Sequence, residues 1–363
     1  MIFLLLILLA PLNLKAATID LHLHMATDVA LPLFFDGRPS EGPAQAQKHT
    51  EIFKNQISVK DLRAGNVRLV MATIYAFDVV SHLRGGYLKE IHRQIEAIEK
   101  WTEENSETAM IVRSPQDAEA VLSSNEYRLG LILAVEGTHG VTSQAAVDSL
   151  YDAGVRMITI AHMSKKSPWA GAADIRYVFF SNCLHKGKPN SKRNPIGLTE
   201  LGKELLPYAV KKGILIDLAH SSDRTFRDVT AQMPNMPLLF SHEAARELTP
   251  CERTVDQAKL DYARKSGSMV GLSFDARRTG GTIADLLEHA KIMVRDGGYG
   301  VLALGTDFNG FPPRAQGLAT TEGLAEVLSS LEQAGVTGPR QSAENFLNLW
   351  RRFLGYSAHI AAR

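Results

Sequence analysis

The sequence predicts an α/β protein built on a single (β/α)8 TIM-type barrel with loop insertions. Three observations carry that prediction. Eight short apolar runs recur along 363 residues, amphipathic stretches with helix start and stop signals separate most of them, and no glycine-rich phosphate loop follows any run. Two doubly wound domains are the alternative at this length, and the missing phosphate loop argues against them. No internal repeat or low-complexity linker points to a solenoid or to beads on a string.

The first run, "ATIDLHLH" at 17–24, alternates so that Asp20, His22 and His24 share one face while Ile19, Leu21 and Leu23 share the other. The remaining runs lie at 66–77, 128–137, 155–162, 213–220, 236–243, 268–275 and 301–308. Most read as nearly continuous apolar stretches, the pattern of a parallel sheet covered on both faces. Helices are predicted at 142–154, 199–213, 254–267 and 282–298. Each opens on a threonine able to cap the first turn and closes on a glycine able to take the left-handed C-terminal conformation. Insertions rich in proline and glycine are expected at 31–49 and 164–198.

The N-terminus, "MIFLLLILLAPLNLKAA", runs through about eleven apolar residues to small ones, a secretory signal pattern rather than a membrane span. Residues 1–16 are therefore expected to be a signal peptide and 17–363 the barrel, exported to the periplasm or secreted; an apolar arm packed on the barrel is the other reading. The C-terminus shows no hydrophobic tail, so no membrane anchor is evident. Forty Lys and Arg against 39 Asp and Glu give a net charge of +1 without a basic stripe, which argues against nucleic acid as a partner. Cys183 and Cys251 have no metal-type spacing, and one disulfide or two free thiols are both open.

In a barrel the C-terminal ends of the strands meet at one mouth, where catalysis sits. Here those ends read His22 and His24, Glu136, His162, His220, His242, Asp275 and Asp307. A packing explanation covers one such residue, not a full ring. Neutral imidazoles and carboxylates suit zinc and related divalent ions, and this set is large enough for two. Glu136 stands between the first pair and the later histidines, the natural bridge between two ions. Asp20, inward below His22, is expected either to orient an imidazole through its other nitrogen or to serve structure alone. Asp275 and Arg277 read either as support for the site or as a local ion pair.

At this point the residues carry a family resemblance. "TIDLHLH", "AVEGTHG", "ITIAHMSKKSPWAG", "GLTELGKELLPYAVKKGILIDLAHSS", "PLLFSHEAAR", "GTDFNG" and "ENFL" resemble, in order and spacing, the membrane dipeptidase (renal dipeptidase) family of the amidohydrolase superfamily over roughly residues 18–355. The resemblance implies two zinc ions per subunit, bridged by Glu136 and a hydroxide. It implies His22, Glu136 and Asp307 as ligands of one and Glu136, His220 and His242 as ligands of the other. It further implies His162 as a contact to the substrate carbonyl, Arg253 as a clamp on the substrate's C-terminal carboxylate where the residue alone reads as a surface ion pair, Trp169 as pocket wall where the residue alone reads as loop packing, and a homodimer as an open option. These roles suit the chemistry. Asp307 can relay the proton of the attacking water, His162 can stabilise an oxyanion, and Arg253 offers a two-pronged donor.

One departure matters. The family usually carries His-x-Asp on the first strand, and this chain carries His-x-His. His24 joins the candidate metal ligands but removes a carboxylate that would hold a substrate ammonium. Two zincs, a hydroxide, Glu136 and Asp307 sum to about +1, where an added aspartate would bring the cluster to about zero. The expected activity is zinc-dependent hydrolysis of dipeptides, including those with a D residue at the C-terminus, or of related small amides. Deacylation of N-acyl amino acids, lactone or phosphoester hydrolysis on the same barrel, and a noncatalytic metal- or peptide-binding role are the alternatives.

Overall fold

Each of the eight apolar runs becomes a strand: β1 (Thr18–Leu23), β2 (Val67–Ile74), β3 (Leu129–Glu136), β4 (Val155–Thr159), β5 (Leu215–Asp217), β6 (Leu239–Glu243), β7 (Met269–Ser273) and β8 (Leu302–Gly305). The computed structural model describes residues 16–31, 36–39, 54–163, 166–173, 184–185, 188–189 and 193–362. Nearly all of the expected signal peptide, most of the 31–49 insertion and much of the 164–198 insertion lie outside them.

The strands are parallel and hydrogen-bonded in the order β2-β1-β8-β7-β6-β5-β4-β3, and a β2–β3 pairing closes the ring. Closure explains the nearly unbroken apolar strands. One face of each packs into the barrel and the other under a helix, so β2 and β3 are buried along their whole length. A short strand, Ala109–Ile111, runs beside the start of β3.

Two glycines set how tightly the ring closes near β6. A Cβ on Gly271 would lie 1.9 Å from the Ser241 carbonyl oxygen, and one on Gly305 would lie 2.0 Å from it. No larger residue fits at either place, and the close approach holds Ser241 deep in the barrel.

Of the predicted helices, Glu200–Lys212 begins at Thr199, whose hydroxyl accepts from the Gly202 amide, and ends at Gly213 in the left-handed conformation. Ile283–Gly297 begins in a capping box between Thr282 and Asp285. The last helix, Ser342–Ala361, seals the bottom of the barrel: the Ala343 amide donates to the Ala17 carbonyl, and the Ile19 amide to Ser342 Oγ. Burying Phe346 and Phe353 on that helix contributes roughly 1.5–3 kcal/mol each. Cys251 is disulfide-bonded, while Cys183 falls outside the described residues. Among the described residues no helix is long and apolar enough to cross a membrane.

Candidate metal centre

The top of the ring gathers the residues that the strand ends promised. Glu136, closing β3, has the Nε2 atoms of five histidines within 3.8 Å: His22, His24, His162, His220 and His242. Asp307, just past β8, lies 3.3 Å from His24 Nε2 and 3.8 Å from His22 Nε2. Three groups have ligand atoms close enough to share an ion: His22, Glu136 and His242; His22, His24 and Asp307; and Glu136, His162 and His220. All seven side chains are buried.

The donor set fits divalent metal, and one feature of the geometry argues for it directly. His220 Nε2 lies 2.9 Å from His242 Nε2, and His22 Nε2 lies 3.1 Å from His24 Nε2. Ser241 fixes what two of these nitrogens carry. Its hydroxyl donates to Asp217 Oδ2 at 2.7 Å, so it can only accept from His242 Nδ1 at 2.9 Å and from His22 Nδ1 at 3.3 Å. With the protons on Nδ1, both rings present Nε2 lone pairs to the cluster, the tautomer a metal ligand needs. Asp217 is held in turn by Thr159 Oγ1 at 2.6 Å and by the amides of Ser241 and Ala219.

The Ser241–Asp217 support is absent from the sequence reading. Its signal was available: a carboxylate and a hydroxyl inside apolar strands, one three residues before His220 and the other next to His242. Asp20 behaves differently from the imidazole-orienting option. It accepts from the Thr306 hydroxyl at 2.5 Å, the Thr306 amide and the His22 amide, so it fixes the chain around His22 rather than the ring. Burial pushes its carboxyl up to about 6, against those hydrogen bonds.

The backbone at the mouth is bent to aim these groups. His220 and Asp307 have φ of 63° and 59°, and Met163, Asn309 and Phe311 are also left-handed. Such strain costs of order 1–3 kcal/mol per residue and persists where surrounding structure enforces it. The enforcement at Asp307 is visible. Its amide donates to the His22 carbonyl, while its own carbonyl accepts from the Arg314 guanidinium. A Cβ on Gly310 would fall 1.8 Å from Asp307 Oδ1, so only glycine leaves that carboxylate in place. The Asn309 side chain bonds the His24 carbonyl and the Gln56 amide, tying the loops after β1 and β8 together.

Electrostatics follow the crowding. Burial would raise the Glu136 and Asp307 carboxyls, but His162 and His22 around the first and His24 and His22 around the second hold both well below the carboxylate range. Burial pushes His162 down to about 3, so its ring is neutral at neutral pH. That ring stacks edge-on against Tyr75 at 4.5 Å between centroids.

A cavity opens over the centre. It is lined by His24, Glu136, His162, His220 and Asp307, by an apolar wall of Tyr75, Phe77, Met163 and Phe311, and by Asp275, Arg277 and Arg278. Arg253 is 2% exposed, bonds Glu243 Oε1 at 2.6 Å and the His242 carbonyl at 3.0 Å, and is not among the described residues that line the cavity. Trp169 belongs to the core instead of the pocket wall that the resemblance implied: it is fully buried, and its indole donates to the Val141 carbonyl.

A family model described as membrane dipeptidase (peptidase family M19) matches residues 10–361. An uncharacterized dipeptidase of Schizosaccharomyces pombe is 29% identical over 239 residues, 63% of this chain and 54% of that protein. The chain thus spans about half the length of that relative. Among solved structures, a dipeptidase described as a family M19 metallo peptidase aligns with a TM-score of 0.72 at 18% identity, covering 94% of this chain and 99% of that one. A Rhodobacter sphaeroides metallo peptidase, solved with a phosphinate mimic of the dipeptide L-Ala-D-Ala, aligns with a TM-score of 0.71 at 17% identity, covering 93% and 99%. At these identities the structural matches establish the fold.

Proposed function

Because the chain belongs to the membrane dipeptidase family, peptidase family M19, we propose that it is a metal-dependent hydrolase that cleaves the amide bond of dipeptides. The observation that carries this reading is the convergence of five histidines on Glu136 at the barrel mouth, with Asp307 beside His22 and His24 and the Nε2 lone pairs of His22 and His242 directed inward.

His22, His24, Glu136 and Asp307 would hold one divalent ion, and Glu136, His220 and His242 the other, with zinc the best match to the nitrogen and oxygen donors. Bound there, the ions would supply a nucleophilic water at neutral pH and polarise the scissile carbonyl. The protein's own groups do the rest. Asp307 is ionised, projects into the cavity, and is the base that accepts the attacking water's proton and returns it to the leaving amine. His162 faces the same space as a neutral ring, able to donate one hydrogen bond to the oxyanion of the tetrahedral intermediate. The aromatic wall of Tyr75, Phe77 and Phe311 gives the substrate an apolar surface and displaces water around the reacting bond. The apolar N-terminal run and the disulfide at Cys251 both support an exported enzyme.

A second reading has its own observation. Among the described residues lining the cavity, Glu136 and Asp307 face the imidazole cluster and Asp275 faces two arginines, so no carboxylate remains for a substrate ammonium. N-acylated amino acids are then substrates alongside free dipeptides. The test is the initial rate of zinc-loaded protein on Ala-Ala, with L and D C-terminal residues, and on the N-acetylated counterparts. Free dipeptides turning over supports the main reading, and no turnover of any member refutes it. His24→Asp is expected to shift the ratio toward the free amine by about tenfold, the effect of one charge-assisted contact; an unchanged ratio removes the charge argument at position 24.

A further inference from the structure

We infer that Gln94 accepts an N–H donor of the substrate at the cavity wall, through an amide whose orientation Glu90 fixes; this rests on the amide-hydrolase reading above. Gln94 lies on the helix Tyr87–Glu104, is 1% exposed, and lines the cavity together with Thr73 of β2 and Tyr75 just past it. Its Nε2 donates to the Tyr75 carbonyl at 2.9 Å and to Glu90 Oε1 at 3.0 Å. A carbonyl and a carboxylate only accept, so the nitrogen must face them and Oε1 must turn the other way. Both amide protons are then spent, and among the described residues no donor reaches Oε1.

Glu90 is held so that this orientation cannot relax. It is buried, and its oxygens also take Arg93 Nε at 3.0 Å, Arg93 Nη2 at 2.9 Å and Arg84 Nη1 at 3.3 Å. Both guanidiniums reach on to the Val29 carbonyl, in the short helix Thr27–Ala30 whose two end residues also line the cavity. Glu90 is thus a positioning residue: its charge is met by arginines, and what it passes to the cavity is the direction of the Gln94 oxygen.

The other neutral polar groups are spent in the same way. The Thr73 hydroxyl donates to the Met71 carbonyl, the Thr27 hydroxyl donates to the Asn309 carbonyl, and the Asn309 amide protons go to the His24 carbonyl and Asn55 Oδ1. Thr27, Thr73 and Asn309 line the cavity with Gln94, and all four present lone pairs without a proton to give. Neutral protons remain on the Tyr75 phenol and on the imidazoles of the centre, where the Tyr75 ring packs edge-on against His162. A substrate N–H against Gln94 gains a hydrogen bond, while an ester or carbonyl oxygen in the same place gains none. An ammonium and a secondary amide both supply that donor.

The experiment reads released alanine from two matched pairs on the zinc-loaded full chain. Ala-Ala is set against propanoyl-alanine, which lacks the ammonium, and N-acetyl-Ala-Ala against 2-acetoxypropanoyl-alanine, in which an ester oxygen replaces the N–H. The N–H member is expected to be favoured about 3- to 10-fold in kcat/KM, mainly through KM, the effect of one hydrogen bond. Gln94→Met is expected to bring that ratio to within about twofold of unity while the donor-free member keeps its rate. Glu90→Gln is expected to weaken the ratio by freeing the amide to turn.

Loss of the ratio in the Ala-Ala pair alone places the ammonium on Gln94, and loss in the acetylated pair places an amide N–H there. Equal rates within both wild-type pairs overturn the inference without any variant having to fold. So does an undiminished ratio in Gln94→Met, or an equal loss on donor-bearing and donor-free members, which would show that Gln94 only holds the Tyr75 segment. An undiminished ratio in Glu90→Gln overturns the role given to Glu90. If no member turns over, the hydrolase reading fails, and calorimetry with the same pairs still decides the contact: tighter binding of the N–H members by wild type but not by Gln94→Met sustains it, and equal binding ends it.

Discussion

At the residue scale the centre depends on a serine more than its size suggests. One hydroxyl proton, spent on Asp217, leaves Ser241 Oγ to accept from the Nδ1 atoms of His242 and His22, and so fixes which nitrogen of each ring faces Glu136. Removing that acceptor frees the rings to change tautomer and tilt. Ser241→Ala and Asp217→Asn are expected to lower metal affinity about 10- to 100-fold, read by competition with a chromogenic chelator. Unchanged affinity in both would show that the rings are held by packing alone. His22, Glu136, His220, His242 and Asp307 could be read from the chain because each ends an apolar run. Ser241 and Asp217 showed only as a hydroxyl and a carboxylate inside apolar strands, because what they do is defined only when β5, β6 and β1 close around them.

At the element scale, helix boundaries show what local chemistry decides and what it leaves to neighbours. Thr199 and Gly213 bound their helix as expected: the Thr199 hydroxyl donates to the Pro168 carbonyl and still accepts from the Gly202 amide. Thr254 was the expected cap of the next predicted helix, but its hydroxyl bonds the Cys251 and Thr249 carbonyls within the turn that carries Arg253, and capping passes to Asp256. Helix Asp223–Gln232 is pinned by charge. Asp223 is buried and bonds Arg246 at 2.8 and 3.0 Å and Lys259 at 3.2 Å. Burial would raise its carboxyl, yet Arg246 and Lys259 keep it below its ordinary value.

The folded state therefore favours ionised Asp223. Its contribution is complete above the ordinary carboxylate range and is lost as pH falls through the lowered folded value. Asp223→Asn is expected to cost about 2–4 kcal/mol in urea unfolding at pH 7, with the difference from wild type narrowing below about pH 4. A difference that stays constant across that range would show that the effect is steric.

At the scale of the whole molecule, the barrel converts a one-dimensional pattern into a three-dimensional one. Eight strand ends, from Leu23 to Gly305 in sequence, become neighbours because the ring closes through β2 and β3. The sheet was legible because β-rich apolar runs and capped helices alternate. The cavity wall was not, because Tyr75, Phe77 and Phe311 carry no chemical signature in sequence and meet only at the mouth. The proposed two-metal hydrolytic centre at this mouth is open to a direct test. Its most direct measurement is the rate of Ala-Ala hydrolysis as chelator-stripped protein is titrated with zinc. Turnover is expected to be absent when stripped, to recover to its maximum at about two ions per chain, and not to recover in Glu136→Gln. Full activity in the stripped protein, or recovery in Glu136→Gln equal to wild type, would contradict it.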